Sequence, residues 1–89
     1  MNTYPLTIST PDGNLLQEQV AALFVRGSEG DLAILAGHIP FVTTIKAGDC
    51  RVEFENGDEK KGHTDGGILT VSENSATLLS GTFCWNEQE

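Results

Sequence analysis

The chain has 89 residues, of which 38% are hydrophobic and 20% charged, a composition typical of one small globular domain rather than a disordered segment. Five basic residues against thirteen acidic ones give a net charge of -8. This balance argues against nucleic acid or anionic lipid as a partner, because both need a basic footprint, and it suits contact with polar or basic protein surfaces.

The termini and the cysteines predict a cytosolic protein. No stretch approaches the roughly 20 apolar residues of a membrane-spanning helix, so we expect no direct insertion into lipid. Residues Met1–Pro5 lack the basic flank and apolar core of a secretory signal. Cys50 and Cys84 are then most simply free, small hydrophobic residues, and a disulfide between them is the less favoured alternative.

The N-terminal third of the chain predicts strands. Residues Thr3–Ser9 alternate apolar and polar side chains, and Pro11-Asp12-Gly13 follows with the residue types of a tight turn. Helix propensity alone would allow a helix over Leu15–Val25. Its alternating pattern and the glycine that follows soon after favour two strands instead, Leu15–Gln17 and Val20–Val25.

A glycine-rich segment, Gly27–Pro40, is the most distinctive part of the sequence. Its three glycines suit sharp changes of chain direction, because glycine adopts positive φ without steric cost. We expect two shaped loops joined by a short buried strand, Leu32–Leu35. Glu29 and Asp31 lie on the first loop and His38 on the second, an arrangement typical of a contact surface.

A β-hairpin is predicted after this segment. Asp49–Glu55 alternates cleanly, and Asn56-Gly57 after it is a strong signal for a two-residue hairpin loop. With that loop, Glu53 would face Lys60 as an opposite-charge pair, and Cys50 would face His63.

The remaining chain predicts further short strands separated by glycine-containing turns. The expected strands are Phe41–Ile45, Ile68–Val71, Ala76–Leu79 and Thr82–Trp85, with turns at Lys46-Ala47-Gly48 and Asp65-Gly66-Gly67. Many short, evenly spaced strands are typical of an all-β sandwich or barrel. We expect one such domain over residues 1–86, followed by a short polar tail at 87–89.

The residues that carry chemistry make no case for catalysis. His38 and His63 lack partners at metal-ligand spacing, and a pair formed by Cys84 and a histidine matches no known motif. Glu29 and Asp31 are more typical of a solvated acidic edge than of paired catalytic carboxylates. We therefore expect no catalytic, cofactor-binding or metal-binding residues.

Five stretches of the chain resemble the epsilon subunit of F-type ATP synthases, in the expected order and over essentially the whole length. They are Leu6–Gly13, Gly27–Pro40, Thr43–Gly48, Gly66–Val71 and Asn74–Leu79. Two positions depart from the family's usual residues: Ala36 stands where proline is usual, and Thr70 where glutamate is frequent.

The resemblance implies a flattened ten-stranded β-sandwich that is a non-catalytic rotor subunit of the central stalk. It would join the gamma subunit to the membrane c-ring, so that ring rotation driven by hydrogen ion transport is coupled to ATP synthesis. The expected location is peripheral, on the cytoplasmic side of an energy-transducing membrane such as the bacterial plasma membrane.

The resemblance also implies two sets of contact residues. Glu29, Gly30 and Asp31 would meet the c-ring, and Thr10, His38 and Thr43 would meet the gamma subunit. Family members usually continue into a C-terminal helical hairpin that is absent here, so we expect no nucleotide binding and no regulation by that hairpin. The alternative function is a free-standing β-sandwich that binds a small ligand.

Overall fold

The computed structural model describes residues 2–86, which form eight β-strands. In chain order these are β1 (Tyr4–Thr10), β2 (Gly13–Val20), β3 (Ala22–Gly27), β4 (Gly30–Leu35), β5 (Phe41–Glu53), β6 (Glu59–Val71), β7 (Ala76–Ser80) and β8 (Phe83–Trp85). They join in one sheet of order β2-β1-β7-β6-β5-β3-β4, with β8 paired to β6. Strands β1 and β7 run parallel, and the other pairs are antiparallel.

The sheet curls over on itself, so that its two ends face each other. Tyr4 in β1 donates a hydrogen bond of 2.7 Å to the carbonyl of Ile34 in β4, although these strands lie near opposite ends of the strand order. The two 13-residue strands, β5 and β6, make this possible because each runs through both layers. One half of β6 pairs with β7 and the other with β8. Strand β5 pairs with β3 at Arg51–Glu53 and, beyond a shift of register, again at Ile45.

A single hydrophobic core fills the space between the layers. It draws on every strand, and its most deeply buried large side chains include Leu6, Ile8, Leu23, Leu69 and Leu78. Alternate residues along each strand point into this core, as the pleat of a β-strand requires. Burying one such leucine contributes about 1.5–3 kcal/mol of hydrophobic stabilisation.

The predicted all-β sandwich is confirmed, with eight strands in place of the expected ten. The difference arises at the two expected turns 46–48 and 65–67, which lie inside β5 and β6. Lys46 and Gly66 face each other in the β5–β6 ladder, and Gly66 has a φ of 112° that bends the strand locally. Glycines in these segments therefore bend continuous strands instead of ending them.

The segment Leu15–Val25 forms strands, as predicted, and the helix alternative is wrong. The break between the two strands falls at Ala21, not near residue 18. No glycine or proline marks this position. The backbone N–H of Ala21 donates to the carbonyl of Glu53 at 2.7 Å, so a tertiary contact fixes the break.

The hairpin at Asn56-Gly57 is present, but its predicted register is wrong by one residue. Phe54 N–H donates to the Asp58 carbonyl at 2.8 Å and Gly57 N–H to the Phe54 carbonyl at 3.0 Å, which makes a three-residue loop. Gly57 has a φ of 94°, the conformation that follows a type I turn in such loops. Glu53 consequently faces Glu59, and Lys60 faces Val52.

Candidate docking surfaces

The acidic loop predicted to meet the c-ring is the tip of the β3–β4 hairpin. Gly27 pairs with Gly30, and Glu29, Gly30 and Asp31 are all exposed. A Cβ at position 27 would lie 2.8 Å from the Gly30 carbonyl oxygen, and Gly30 itself has a φ of 133°. This narrow tip therefore depends on glycine at both positions.

Strand β4, which follows the tip, is present but is not the buried strand that was predicted. It forms one edge of the sheet, and Ile34 is the one side chain of β4 that is fully buried. Leu35 is 54% exposed. A strand of a two-layer sandwich turns one side to the core and the other to solvent, so an apolar run in it is buried at alternate residues only.

His38 lies in the turn between β4 and β5, with its ring edge against Tyr4. The two ring centroids are 5.1 Å apart, and the ring planes are inclined to each other at 83°. Both ring nitrogens are buried without a hydrogen-bond partner among the described residues. Burial also raises the pKa of the Tyr4 hydroxyl, whose proton is held by the carbonyl of Ile34. Next to His38, Ile39 is 80% exposed.

The three residues predicted to meet the gamma subunit do not form one cluster. Thr10 is the last residue of β1, whereas His38 contacts Tyr4, the first residue of the same strand. At the usual rise per residue the two ends of this strand are about 20 Å apart. Thr43 lies opposite Leu69, a buried residue, so its side chain is on the inner side of the sheet.

The outer side of the layer β1–β7–β6–β5 carries a lattice of uncharged side chains, which we call the uncharged face. Its two rows run across four strands: Thr7, Thr77, Thr70 and Val42 in one, and Ser9, Leu79, Ile68 and Thr44 in the other. Val42, Ile68 and Leu79 are 67%, 47% and 51% exposed. Thr10 borders this face beside Leu79, where both line a shallow depression.

Sequence reasoning missed the three apolar residues of the uncharged face. Adjacent residues of a strand point to opposite sides of the sheet. The doublets Ile68-Leu69 and Leu78-Leu79 therefore each place one large apolar residue outside, and this signal was available in the sequence. Isolated exposed apolar residues are common, but a contiguous group of them indicates a contact surface.

The outer side of the other layer is charged instead, and we call it the charged face. Arg26 lies 3.8 Å from Asp31, and Arg51 lies 3.4 Å from Glu53. The Arg51 guanidinium also covers the Phe24 ring at 4.2 Å. A groove of about 410 Å³ runs between these side chains, and its acids and cations largely engage each other.

The side chains that could hold a metal ion are dispersed in the part of the chain that the structure describes. Residues 2–86 contain no cluster of three or more potential metal ligands. The predicted free cysteines are confirmed. The expected pairing of Cys50 with His63 is wrong, because Cys50 faces Gly62 and His63 faces Asp49. Across residues 2–86 there is also no helix with the length and apolar character needed to cross a bilayer.

Comparison with known proteins identifies the family. The model of the ATP synthase delta/epsilon chain β-sandwich domain matches residues 3–86. The ATP synthase epsilon chain of Clostridium kluyveri is 35% identical over 80 residues, covering 90% of this chain and 61% of the relative. The ATP synthase epsilon chain of Acinetobacter baylyi is 35% identical over 82 residues, covering 92% of this chain and 59% of that relative. The chain thus spans about 60% of the length of these curated relatives.

Solved structures give the same fold. A chain of the Euglena gracilis mitochondrial ATP synthase, in a structure of OSCP, F1 and c-ring, superposes with a TM-score of 0.89 at 29% identity, covering 93% of this chain and 53% of that one. A chain of the Tetrahymena thermophila mitochondrial ATP synthase central stalk and c-ring superposes with a TM-score of 0.76 at 15% identity, covering 89% of this chain and 63% of that one. At this identity the match shows the fold alone. This chain belongs to the ATP synthase delta/epsilon family, and its residues 3–86 are the family's β-sandwich domain.

Proposed function

We propose that this domain is a non-catalytic rotor component of an F-type ATP synthase that joins the gamma subunit to the c-ring. The observation that carries the proposal is the pairing of two different contact surfaces on one rigid sandwich: the uncharged face and the acidic hairpin tip. Relatives named ATP synthase epsilon chain, and a structural match within a complex described by F1 and c-ring, support this assignment.

The uncharged face is the surface we assign to the gamma subunit. Its eight side chains are apolar or hydroxyl-bearing in a protein of net charge -8, so covering them removes no ionised group from water. The apolar centre, Val42, Ile68 and Leu79, would supply the hydrophobic part of the interface. Thr10 lies at one end of this face and the His38 turn at the other. We therefore include both residues in the proposed contact with the gamma subunit.

Thr43 takes a different part in this proposal. Its side chain shares the inner side of the sheet with Leu69, while its neighbours Val42 and Thr44 project outward. Contact at this point of β5 would therefore be made through the neighbours and the backbone, and Thr43 would hold the strand in place.

The hairpin tip is the surface we assign to the c-ring. Glu29 and Asp31 are both exposed, one on each side of Gly30 in the chain, and the Arg26 side chain lies close to Asp31 alone. Rim charges of this kind steer encounter and set orientation more than they add affinity. The corresponding location is a peripheral one, on the cytoplasmic side of an energy-transducing membrane such as the bacterial plasma membrane.

Transmission of torque is mechanical in this proposal. Backbone contact from Ser28 N–H to the Thr44 carbonyl, at 3.2 Å, ties the hairpin tip to β5, the strand that carries Val42. Strand β5 then runs on into the second layer. Since close-packed interiors transmit strain, a force applied at the tip would reach the uncharged face without loss in a flexible linker.

The test is an NMR titration of the isotope-labelled domain with purified gamma subunit. We expect the largest shifts at Thr10, Val42, Ile68 and Leu79 and small ones at the β5–β6 hairpin loop. Shifts confined to the charged face would overturn the assignment of the surface. The absence of any shift with folded gamma would overturn the partner and favour the ligand-binding alternative.

A second measurement addresses the hairpin tip. Asp31→Lys should slow association with purified c-ring at low salt, with the effect fading as ionic strength rises. Asp58→Lys, which reverses an exposed charge in the β5–β6 hairpin loop, is the matched control. Equal association rates for the two variants would remove Asp31 from the contact.

A further inference from the structure

Three chemically reactive side chains line up across three strands on the charged face. Asp49 on β5 lies opposite His63 on β6, and His63 lies opposite Cys84 on β8. Directly paired residues of antiparallel strands point to the same side, with Cβ atoms about 4.5–5.5 Å apart. The Asp49 Oδ1 atom lies 3.4 Å from His63 Nδ1. The backbone register therefore holds a carboxylate, an imidazole and a thiol in one row.

The row is open to solvent. Cys84 is exposed, and the side chains of His63 and Asp49 are 58% and 93% exposed. The second thiol has the opposite environment, because Cys50 is buried and burial raises its pKa to about 12. A thiol must ionise and be reached to act as a nucleophile, so Cys50 is an inert internal reference for Cys84.

We propose that Cys84 is a reactive thiol that exchanges with small-molecule disulfides such as oxidised glutathione, with His63 accepting the thiol proton and Asp49 positioning the imidazole. In the exchange, the Cys84 sulfur attacks one sulfur of the disulfide, the S–S bond breaks, and a mixed disulfide forms on Cys84. The leaving thiolate takes up a proton, so one thiol is released as Cys84 is oxidised.

The other charged groups near the row are largely engaged. On β6, Lys61 lies 3.7 Å from Glu59, and Asp65 accepts a hydrogen bond of 3.0 Å from the Thr82 backbone. On β5, Arg51 is paired with Glu53 at 3.4 Å. His63 is the imidazole that faces Cys84 across the ladder, so replacing it should change both the rate of the exchange and its dependence on pH.

The experiment incubates the folded protein with oxidised glutathione and follows adducts by mass spectrometry from about pH 5.5 to 8. We expect one glutathione per chain, on Cys84, and none on Cys50. His63→Gln should lower the second-order rate near neutral pH by about 3- to 10-fold and flatten the pH profile. Asp49→Asn should have a smaller effect in the same direction, and Asp12→Asn, in the distant β1–β2 turn, should have none.

Two outcomes would overturn the proposal. A His63→Gln variant that reacts at the wild-type rate with the same pH profile would make Cys84 an ordinary exposed thiol. Failure of the native protein to react, while the urea-unfolded chain reacts at both cysteines, would show that Cys84 is shielded. Thermal unfolding of each variant verifies that its fold is retained, and the assay needs neither the gamma subunit nor the c-ring.

Discussion

Removing the apolar centre of the uncharged face should weaken binding to the gamma subunit without unfolding the domain. The variant carries alanine at Val42, Ile68 and Leu79. These side chains are 67%, 47% and 51% exposed, so about half of each remains available for burial by a partner. Complete burial of such a side chain is worth about 1.5–3 kcal/mol, which leaves about 1 kcal/mol for each residue on docking.

The three contributions together amount to about 2–3 kcal/mol, or a loss of affinity of about 30- to 150-fold. Calorimetric titration with purified gamma subunit measures this change directly. Leu35→Ala is the matched control, because Leu35 is 54% exposed but lies on the side of β4 that continues the charged face. We expect less than about a 2-fold change for this control.

Two results would refute the reasoning. The triple variant could bind gamma within about 3-fold of the wild-type affinity while its thermal unfolding is unchanged, which would show that the face is not buried on docking. Alternatively, the Leu35 control could lose as much affinity as the triple variant. That outcome would move the interface to the other layer of the sandwich.

Three further predictions concern stability and the His38 turn. Gly67→Ala should lower the free energy of unfolding in urea by about 2 kcal/mol or more, because a Cβ at this position would overlap the Leu79 carbonyl. Gly48→Ala is the control and should be nearly neutral, because the nearest atom to a Cβ there is 3.6 Å away. Equal effects of the two substitutions would contradict this reasoning. His38→Ala should lower stability by about 1 kcal/mol, because the contact between the His38 and Tyr4 rings is lost. The same variant should bind the gamma subunit more weakly, and an unchanged affinity in calorimetry would exclude His38 from the interface. Between about pH 9 and pH 12 the unfolded chain loses the Cys50 proton that the folded chain keeps, so the contribution of Cys50 to stability should fall as the pH rises in denaturant titrations. A Cys50→Ala variant should show a shallower fall than the wild type, and an identical slope would argue against this contribution.

The strands were predictable because most of them alternate, but their partners were not. Asn56-Gly57 correctly located a hairpin, yet the positive φ of Gly57 follows a type I turn and adds a third residue to the loop. This single residue moves every cross-strand pair, including the one expected between Glu53 and Lys60. Register depends on loop conformation, which dipeptide identity does not determine.

The hairpin tip and the uncharged face differ in how far sequence could reveal them. Glu29 and Asp31 are neighbours in the chain, so a local reading was sufficient to find an exposed acidic loop. Val42, Ile68 and Leu79 come from three separate strands and become neighbours only through the β5–β6 and β6–β7 registers. Local patterns can show that single residues such as Ile68 and Leu79 point outward, but they cannot show that these residues lie side by side.

The parallel pairing of β1 with β7 has a consequence for the order of folding. Leu6 pairs with Ala76, so the first strand cannot find this neighbour until about 70 further residues have been made. During synthesis, β1 and β2 would emerge as an isolated hairpin, which is marginally stable at best in water. Contacts of such long sequence separation slow folding. The last strands of the domain, and not the first, therefore decide when this nascent chain becomes protected from aggregation and proteolysis.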